Sequence, residues 1–261
     1  MDNPVTTMIS IILATKNGSS YIKRAINSVL KQSEKDIELI IVNDASTDST
    51  LPIILELQKT EPRIKVISNQ INIGPGSSRH KGILASLGDM IAFIDDDDEW
   101  VSSDKLHLQK EYLTMNPEVV LVGASRVTFI SQEGKVIKEI IRPSSDNAIR
   151  EQMLLRNPFV TSSVLLKKTA YLSSGGFSNL YLAEDYDLWM KLGKIGKLAN
   201  IDGCDINYTV SRVDKSRSNL PKMSLVVISL IKKYKSDYPH YFFGLIKSYL
   251  RITYLHLKKI F

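Results

Sequence analysis

Strand and helix patterns alternate in the first hundred residues, and this alternation constrains the fold more than any other feature of the sequence. The strand-like runs are rich in Ile, Leu and Val and have the length of buried strands: 9–14, 37–42, 64–67 and 90–94. Apolar residues at helical spacing predict helices between them, at 21–30, 48–60 and 77–87. Such a chain predicts an α/β fold in which a mostly parallel sheet is flanked by helices.

Polar loops follow three of the predicted strands, at 15–18, 43–50 and 95–98. Ligands bind at the carboxyl ends of parallel strands, so we expect these loops to form a site together. The last loop consists of four aspartates. If its backbone is extended, Asp95 and Asp97 point to the same side and can hold a hard divalent cation. A solvated acidic turn ahead of the next helix is the alternative that the run alone leaves open.

The second half of the chain is less regular. We expect a strand over 119–130, a hairpin turn at 132–135 that leads into a strand at 136–141, and another strand at 161–166. The pair Glu184-Asp185 begins a helix, where the helix dipole favours carboxylates. This part therefore adds a mixed layer to the edge of the parallel sheet.

Charge is distributed unevenly along the chain. Ten of its 34 Lys and Arg residues but one of its 28 acidic residues lie in 215–261, so the tail is strongly basic. At helical spacing Lys247, Arg251 and Lys258 share one face, and apolar residues occupy much of the rest. This pattern over 222–261 predicts a helix that lies in the plane of an anionic membrane surface. A helical hairpin packed on the protein's own body is the alternative.

Other features of the sequence concern its cellular location. No stretch of about 18 apolar residues predicts a membrane-spanning helix. The start Met1–Pro4 lacks the basic and apolar character of a signal peptide. The single cysteine, Cys204, suits a reducing compartment. We expect a cytoplasmic protein that binds peripherally to the inner face of the plasma membrane, and we expect no nucleic-acid partner because the body has no basic groove.

Six motifs stand in a fixed order along the chain: Ile9–Asn17, Val42–Asp48, Asn72–Gly74 with Ser78–Ile83, Phe93–Asp98 with Trp100, Gly175–Phe177 and Glu184–Trp189. Together they resemble the inverting nucleotide-sugar glycosyltransferases of family two, which have the GT-A fold. The resemblance covers about residues 8–215. It implies a Rossmann-like, mostly parallel sheet with a nucleotide-sugar-binding half at 1–110 and a mixed acceptor-binding and catalytic half at 111–215. Outside the resemblance, the basic amphipathic pattern predicts a C-terminal helical tail at 216–261.

The resemblance also implies how the donor is bound. Asp44 corresponds to the acid that binds the nucleotide base, and Thr15 to the other wall of the base pocket. Arg79 corresponds to the basic residue near the diphosphate, where a guanidinium stabilises the leaving group. The residues by themselves also allow a helix N-cap at Asp44 and a solvated helix charge at Arg79.

Asp95 and Asp97 resemble the DxD motif of the family. The resemblance implies that Asp97 is the main ligand of Mg²⁺ or Mn²⁺, and that Asp95 lies toward the ribose or the metal. Asp96, the spacer between them, belongs to the same donor site. The metal would neutralise the charge that develops on the departing diphosphate. The role of Asp98 is left open.

Asp185 resembles the catalytic base, which takes the proton of the acceptor hydroxyl. Glu184 is the less favoured candidate, because adjacent helical residues point about 100° apart. The implied reaction moves a sugar from a nucleoside-diphosphate sugar, of UDP type, to a glycan or lipid-linked acceptor in cell-surface polysaccharide synthesis. The alternatives are a nucleotidyltransferase that makes the sugar nucleotide and a non-catalytic binding module on the same fold.

The sequence departs from the family pattern at several positions. Ala14 stands where proline is usual, and His80-Lys81 stands where the family often has Asn and a small residue. The segment after Tyr208 lacks the histidine of many relatives, so a contact of that histidine to metal or phosphate has no equivalent there. Three nearby residues are candidates to serve differently: Ser211, Arg212 and Lys215.

Overall fold

The structure is a computed structural model that describes residues 7–180, 182–210 and 220–257. The start Met1–Pro4 lies outside this part of the chain, as do Ser211, Arg212, Lys215 and Lys258.

The first half of the chain forms the predicted alternation of strands and helices. Its strands are β1 (Ile9–Thr15), β2 (Ile37–Asp44), β3 (Ile64–Asn69) and β4 (Met90–Phe93). Its helices are α1 (Ile22–Leu30), α2 (Thr50–Thr60) and α3 (Pro75–Leu84). Strand β1 pairs in parallel with β2 and β4, and β2 pairs in parallel with β3. The loops that follow these strands therefore leave the same edge of the sheet.

The second half adds strands to this sheet and builds another. Its strands are β5 (Glu99–Trp100), β6 (Val119–Ala124), β7 (Arg126–Ser131), β8 (Val136–Ile141), β9 (Leu165–Lys167), β10 (Lys197–Ile201) and β11 (Ile206–Val210). The main sheet has seven strands in the order β10-β6-β9-β4-β1-β2-β3, and β9 runs antiparallel to its neighbours β4 and β6. A four-stranded sheet, β5-β11-β7-β8, mixes parallel and antiparallel pairs. The predicted α/β fold with a mostly parallel sheet is confirmed.

Helices cover both faces of the main sheet. The later helices are α4 (Lys105–Met115), α5 (Asp146–Gln152), α6 (Lys168–Ser173), α7 (Glu184–Leu192), α8 (Leu220–Lys233) and α9 (Tyr241–Leu257). On β1, Ile11 belongs to a buried cluster with residues of α1, and its neighbour Ile12 belongs to a second cluster with Trp189 of α7 and Leu230 of α8. Strands buried on both faces need apolar residues at consecutive positions, which explains the uninterrupted apolar runs.

The predicted continuous strand at 119–130 is wrong, because the chain changes sheet at Ser125. Strand β6 belongs to the main sheet and β7 to the second. The N–H of Ser125 donates to the carbonyl of Ile201 at 2.9 Å, and its hydroxyl donates to Asp202. Apolar residues continue on both sides of Ser125, so their pattern did not reveal the crossing.

The predicted strand at 161–166 is also shorter than expected. Thr161–Ser163 form one turn of 3-10 helix, in which the N–H of Ser163 donates to the carbonyl of Val160 at 2.9 Å. The strand itself covers Leu165–Lys167. The hydroxyl of Ser162 donates to the buried Asp98 at 2.5 Å, so this turn serves the acidic loop rather than the sheet.

The C-terminal tail is held on the body by helix α8. Asp187 of α7 is fully buried and accepts hydrogen bonds from the Nζ of Lys233 and the hydroxyl of Tyr234, each at 2.8 Å. This packing agrees with the hairpin alternative for α8. Helix α9 packs against α8, and its Phe242 and Phe243 are exposed. Among the described helices, none is long and apolar enough to cross a membrane.

Candidate active site

A cleft of about 1060 Å³ opens at the carboxyl ends of β1, β2 and β4. Single small ligands usually occupy pockets of roughly 300–1,000 Å³, so this cleft has room for more than one substrate. The structure brings together all the site residues that the sequence predicts, since each of them lines the cleft: Thr15, Asp44, Arg79, Asp95, Asp96, Asp97 and Asp185.

The loops after β1 and β2 are joined by hydrogen bonds. Asn17 has a left-handed φ of 59°, a conformation that Asn adopts more readily than most residues. Its N–H donates to the hydroxyl of Ser46 at 3.0 Å, and its side-chain oxygen accepts from the N–H of Thr47 at 2.8 Å. These bonds fix the turn that places Thr15 at the cleft.

Asp44 is buried at the end of β2, where it shapes the loop before α3. Its Oδ1 accepts from the Nδ2 of Asn69 at 3.0 Å and from the N–H of Ile73 at 2.9 Å. Its Oδ2 accepts from the N–H of Gly74 at 2.9 Å. A carboxylate offers about four acceptor positions, so one position on Oδ2 is available to a ligand. Asp44 does not cap helix α2, whose N-cap is Ser49.

The acidic loop is a turn and not an extended strand. The N–H of Asp98 donates to the carbonyl of Asp95 at 3.2 Å, which closes the turn across Asp96 and Asp97. The argument from strand alternation is therefore wrong for this loop. Asp97 nevertheless lies within electrostatic range of Asp95 and Asp96, because both charges raise its pKa.

Asp98, whose role the sequence left open, anchors the loop in the interior. It is fully buried and accepts from the hydroxyl of Ser162 at 2.5 Å and from the N–H of Thr209 at 2.9 Å. Burial and the nearby charges of Asp95 and Asp97 raise its pKa well above the usual range. Asp98 thus ties the acidic loop to β11 and to the turn before β9.

Asp96 joins the acidic loop to the loop after β1. Its Oδ2 accepts a hydrogen bond from the hydroxyl of Thr15. Gly18 lies directly over this contact, where an added Cβ would stand 2.2 Å from the Asp96 Oδ2 and 2.7 Å from the Thr15 Oγ1. A side chain at position 18 is therefore incompatible with this arrangement.

Asp97 is half-buried, and its carboxylate receives the least hydrogen bonding of the four aspartates in the loop. The backbone N–H of Asp97 itself donates to this carboxylate, and Arg24 donates to the backbone carbonyl of Asp97. Burial raises the pKa of Asp97 to about 7, and the charges of Asp95 and Asp96 add to the effect. A cation at this position would relieve that repulsion.

Arg79 is buried and links the acidic loop to helix α7. Its Nη2 donates to the Oδ1 of Asp95 at 2.6 Å, and its Nη1 donates to the Oε1 of Glu184 at 3.0 Å. Burial opposes its charge, but these two carboxylates outweigh burial and raise its pKa. Its Nε is buried and has no partner among the described residues. The solvated helix charge considered for Arg79 is therefore wrong.

Glu184 and Asp185, neighbours at the start of α7, have different partners. Burial raises the pKa of Glu184 to about 7, against the opposing charge of Arg79. The Oδ2 of Asp185 accepts from the Nδ2 of Asn157 at 3.1 Å and from the hydroxyl of Thr161 at 3.3 Å. Burial also raises the pKa of Asp185. The hydrogen-bond donors to the Asp185 side chain are thus neutral, and the charge of Arg79 lowers its pKa without a direct bond, whereas Glu184 is bonded to that cation.

Several residues of the site were not predicted. Asn157 and Thr161 hold Asp185, Ser162 holds Asp98, and the Nη2 of Arg24 bridges the backbone of Asp97 and the hydroxyl of Thr209. Arg24 lies on α1 and Thr209 on β11, and Thr161 and Ser162 lie in the segment expected to be a strand. The local sequence pattern does not show which residue each of them contacts.

The described residues contain no group of three or more His, Cys, Asp or Glu side chains that could hold a metal ion unaided. Asp95 and Asp97 offer two carboxylates, and Asp95 is already bonded to Arg79. Mg²⁺ is commonly bound through one or two carboxylates together with substrate phosphates. These residues therefore fit a metal whose remaining ligands come from a diphosphate and from water.

The mostly parallel sheet with a mixed second sheet and an acidic loop at its carboxyl edge defines a GT-A-like α/β protein. The profile of the family described as "Glycosyl transferase family 2" matches residues 10–170. This match covers more than half of the chain, and the chain belongs to that family.

Curated relatives extend the similarity. A Haemophilus influenzae protein described as an uncharacterized glycosyltransferase is 28% identical over 214 residues, which cover 77% of this chain and 65% of the relative. The putative teichuronic acid biosynthesis glycosyltransferase TuaG of Bacillus subtilis is 28% identical over 189 residues, which cover 72% and 73% of the two chains. The O-antigen biosynthesis glycosyltransferase WbnJ of Escherichia coli is 27% identical over 223 residues, with 83% and 85% coverage.

Solved structures share the fold at low sequence identity. A mannosyltransferase from Pyrobaculum calidifontis, in complex with GDP-Man and Mn²⁺, superposes with a TM-score of 0.72 and 14% identity, over 97% of this chain and 76% of the other. Residues 1–349 of S. aureus TarS, in complex with UDP-GlcNAc, superpose with a TM-score of 0.68 and 19% identity, over 86% and 66%. At these identities the likeness shows the fold alone.

Proposed function

We propose that this protein transfers a sugar from a nucleoside-diphosphate sugar to an acceptor hydroxyl, with inversion at the anomeric carbon. The observation that carries the proposal is the difference between the two adjacent acids of α7. Asp185 faces the cleft with neutral hydrogen-bond donors, while Glu184 is paired with Arg79. A general base must be free to accept a proton from substrate, and this requirement selects Asp185.

The donor is assigned to the loops at the carboxyl edge of the main sheet. Asp44 retains one acceptor position for a base N–H, and Thr15 lines the cleft beside it. Arg79 is bonded to Asp95 of the acidic loop, and we assign it to the diphosphate, where its charge would stabilise the leaving group. A UDP-type donor is favoured because the TarS structure contains UDP-GlcNAc, and a GDP-type donor is the alternative that the mannosyltransferase complex offers.

We assign Mg²⁺ or Mn²⁺ to Asp97, with Asp95 as the second carboxylate. The Mn²⁺ in the mannosyltransferase complex supports a metal of this kind. When bound, the cation would neutralise charge on the diphosphate as it departs.

The chain's own residues then account for the remaining chemistry. The acceptor oxygen forms a bond to the anomeric carbon while the bond from that carbon to the diphosphate oxygen breaks. The acceptor proton passes to a carboxylate oxygen of Asp185, which Asn157 and Thr161 orient. The electron pair of the broken bond stays with the diphosphate, beside Arg79. Burial raises the pKa of Asp185 and makes it a stronger base than a solvated aspartate.

We propose that the acceptor is a glycan or a lipid-linked sugar of a cell-surface polysaccharide. Two relatives support this assignment by name, one in teichuronic acid and one in O-antigen biosynthesis. The reduced state expected of Cys204, which is buried, agrees with a cytoplasmic location, where we place the enzyme.

We also propose that helix α9 docks on an anionic membrane surface. Its exposed face carries large apolar side chains, including Phe242, Phe243 and Leu250, which are 74%, 68% and 64% exposed. Lys247 and Arg251 are exposed on the same helix and complement anionic headgroups.

Replacing Phe242, Phe243 and Leu250 by Ser should abolish co-sedimentation with phosphatidylglycerol vesicles. The matched Leu84→Ser/Leu87→Ser variant, in which two exposed leucines far along the chain are changed, should sediment like wild type. Equal partition of all three proteins would refute membrane docking by α9.

The proposed reaction is tested by screening UDP- and GDP-sugars for nucleoside-diphosphate release, with and without Mn²⁺. Asp185→Asn keeps the size of the side chain but cannot take the proton, so transfer should fall by about 10³-fold or more, with donor affinity retained. Full transfer by Asp185→Asn would reject the assigned base. A nucleotidyltransferase would instead consume a nucleoside triphosphate and a sugar phosphate and release pyrophosphate. A non-catalytic binding module would turn over none of these substrates.

A further inference from the structure

Charges of both signs line the cleft. Carboxylates of the acidic loop and of α7 line the donor side. A second set of lining residues, which we call the basic wall, consists of Arg142, Arg156, Lys247 and Arg251. The assignments for the donor and the base leave Arg142 and Arg156 without a role, and Lys247 and Arg251 line the cleft in addition to lying on the helix that we assign to the membrane surface.

Arg142 places the basic wall next to the proposed base. Its Nη1 donates to the backbone carbonyl of Asn157 at 3.0 Å, and the side chain of Asn157 donates to Asp185 at 3.1 Å. The Nε of Arg142 is buried and has no partner among the described residues. Buried donors are rarely left unpaired, so this guanidinium has capacity for a ligand close to Asp185.

The basic wall has no internal counter-charge. Burial lowers the pKa of Arg142, and the like charge of Arg156 lowers it further, so the two guanidinium groups are near enough to repel. Arg156 donates to the neutral side chain of Gln152 at 2.7 Å. Within residues 7–180, 182–210 and 220–257, none of the four cations forms a salt bridge with a carboxylate. An anion bound in the cleft would relieve this repulsion.

Helix α9 brings the other two cations to the same place. Lys247 and Arg251 are four positions apart and therefore lie on one face of the helix. Helix α9 contacts the turn at 153–156, which follows α5 and contains Arg156. A Cβ added at Gly244 would lie 2.4 Å from the carbonyl oxygen of Leu154 in this turn. Residues from three separate parts of the chain thus concentrate positive charge at the basic wall of the cleft.

We infer that the acceptor of this enzyme bears phosphate, and that the basic wall binds it. The inference rests on the proposed glycosyl transfer. Four cations exceed what one carboxylate of an acidic sugar can neutralise, whereas a diphosphate or successive phosphodiesters supply two or more charges. Guanidinium groups also match phosphate oxygens in bidentate geometry. A lipid-linked diphosphate and a polyol phosphate chain share this chemistry.

Binding of phosphate probes can be measured by calorimetry in the presence of saturating UDP, which fills the donor's diphosphate site. Geranyl diphosphate represents the lipid-linked source, a glycerol phosphate hexamer the polyol source, and octyl glucoside the uncharged case. We expect one phosphate probe to bind and octyl glucoside not to bind. The phosphate probe that binds identifies the source.

The variant Lys247→Gln/Arg251→Gln should weaken binding of that probe by tenfold or more and leave the affinity for UDP unchanged. The matched variant Lys232→Gln/Lys235→Gln removes two exposed charges from outside the cleft and should bind like wild type. If octyl glucoside binds as well as both phosphate probes, or if the Lys247/Arg251 variant binds the phosphate probe normally, the inference is rejected. Failure to bind UDP at all would instead count against the proposed glycosyl transfer.

Discussion

The guanidinium of Arg79 donates a hydrogen bond to the carboxylate of Glu184 across 3.0 Å, although 105 positions separate the two residues. Through the same guanidinium, Asp95 is connected to helix α7. The site that we assign to the diphosphate and the helix that carries the proposed base are therefore parts of one buried ion network.

Arg79→Gln should damage both stability and catalysis. It leaves Glu184 and Asp95 without their cation, and removal of one partner from a buried ion pair costs about 3–5 kcal/mol. Transfer should fall by about 100-fold or more, as when one preorganised donor to a developing negative charge is lost. Chemical denaturation and steady-state kinetics measure the two effects.

The half-buried surface pair formed by Arg63 and Glu61 provides the control for this change. Their side chains are 27% and 20% exposed and 2.7 Å apart, and surface pairs contribute about 0–1 kcal/mol. Arg63→Gln should leave transfer unchanged. If the Arg79 and Arg63 variants lose equal stability and keep full activity, the network has no special role.

Asn157→Ala should change the pH dependence of transfer. Asn157 donates to Asp185 and lowers its pKa, which burial otherwise raises. Without this bond the pKa of Asp185 rises further, and the base is ionised only at higher pH. The acid limb of the kcat/KM profile should therefore move to higher pH, with near-normal rates on the plateau. An unshifted acid limb would show that Asn157 does not act through Asp185.

Asp187→Asn should loosen the tail. The buried carboxylate binds Lys233 and Tyr234, and these partners together with Lys191 outweigh burial and lower its pKa. A lowered pKa means that this stabilisation is present above the carboxyl pKa of the unfolded chain, about 3.9, and is lost as the pH falls through the folded value. At pH 7 the variant should be about 1.5–3 kcal/mol less stable, the usual contribution of hydrogen bonds to a charged group. The gap should close in acid, and a gap that is constant with pH would contradict this origin.

The variant Lys105→Met tests whether the buried amine of Lys105 has a lowered pKa in the folded protein. Lys105 is fully buried, and burial lowers its pKa to about 7, whereas an unfolded lysine titrates near 10.4. Between these values the unfolded chain binds more protons, so this residue makes wild-type stability rise with pH by up to about 1.4 kcal/mol per unit. The free energy of unfolding of wild type relative to Lys105→Met should therefore increase from pH 7 to pH 9. The same difference at both values would show that Lys105 is protonated in the fold.

Much of the fold of the first half of the chain could be predicted, because the local sequence pattern specifies its strands and loops. Strands β1 and β2 are buried along their length, so their apolar runs are uninterrupted, and the polar loops must then follow at one edge. Thr15, Asp44 and the acidic loop come from these loops, which explains why their convergence was foreseen. The conformation of the acidic loop could not be predicted in this way, because side chains alternate between two sides only while the backbone stays extended.

The remaining part of the site depends on contacts between distant segments. Asn157 reaches Asp185 from 28 positions away, and Ser162 reaches Asp98 from 64 positions away. Asn157 sits in irregular backbone, and Ser162 sits in a turn of 3-10 helix where a strand was expected. Only the fold brings these two side chains to the cleft. Ser125, where the chain changes sheet, was hidden for the same reason. The basic residues of α9 were noted as membrane contacts, and nothing local showed that Lys247 and Arg251 line the cleft.

The first turn of α7 leaves little freedom for the family to vary at this point of the chain. Glu184, Asp185 and Asp187 point in different directions, toward Arg79, the cleft and the tail. Each step along a helix rotates the side chain by about 100°, so an insertion or deletion of one residue here would give every carboxylate the wrong neighbour. Length changes during divergence should therefore be found in the loops on either side of this turn and not within it.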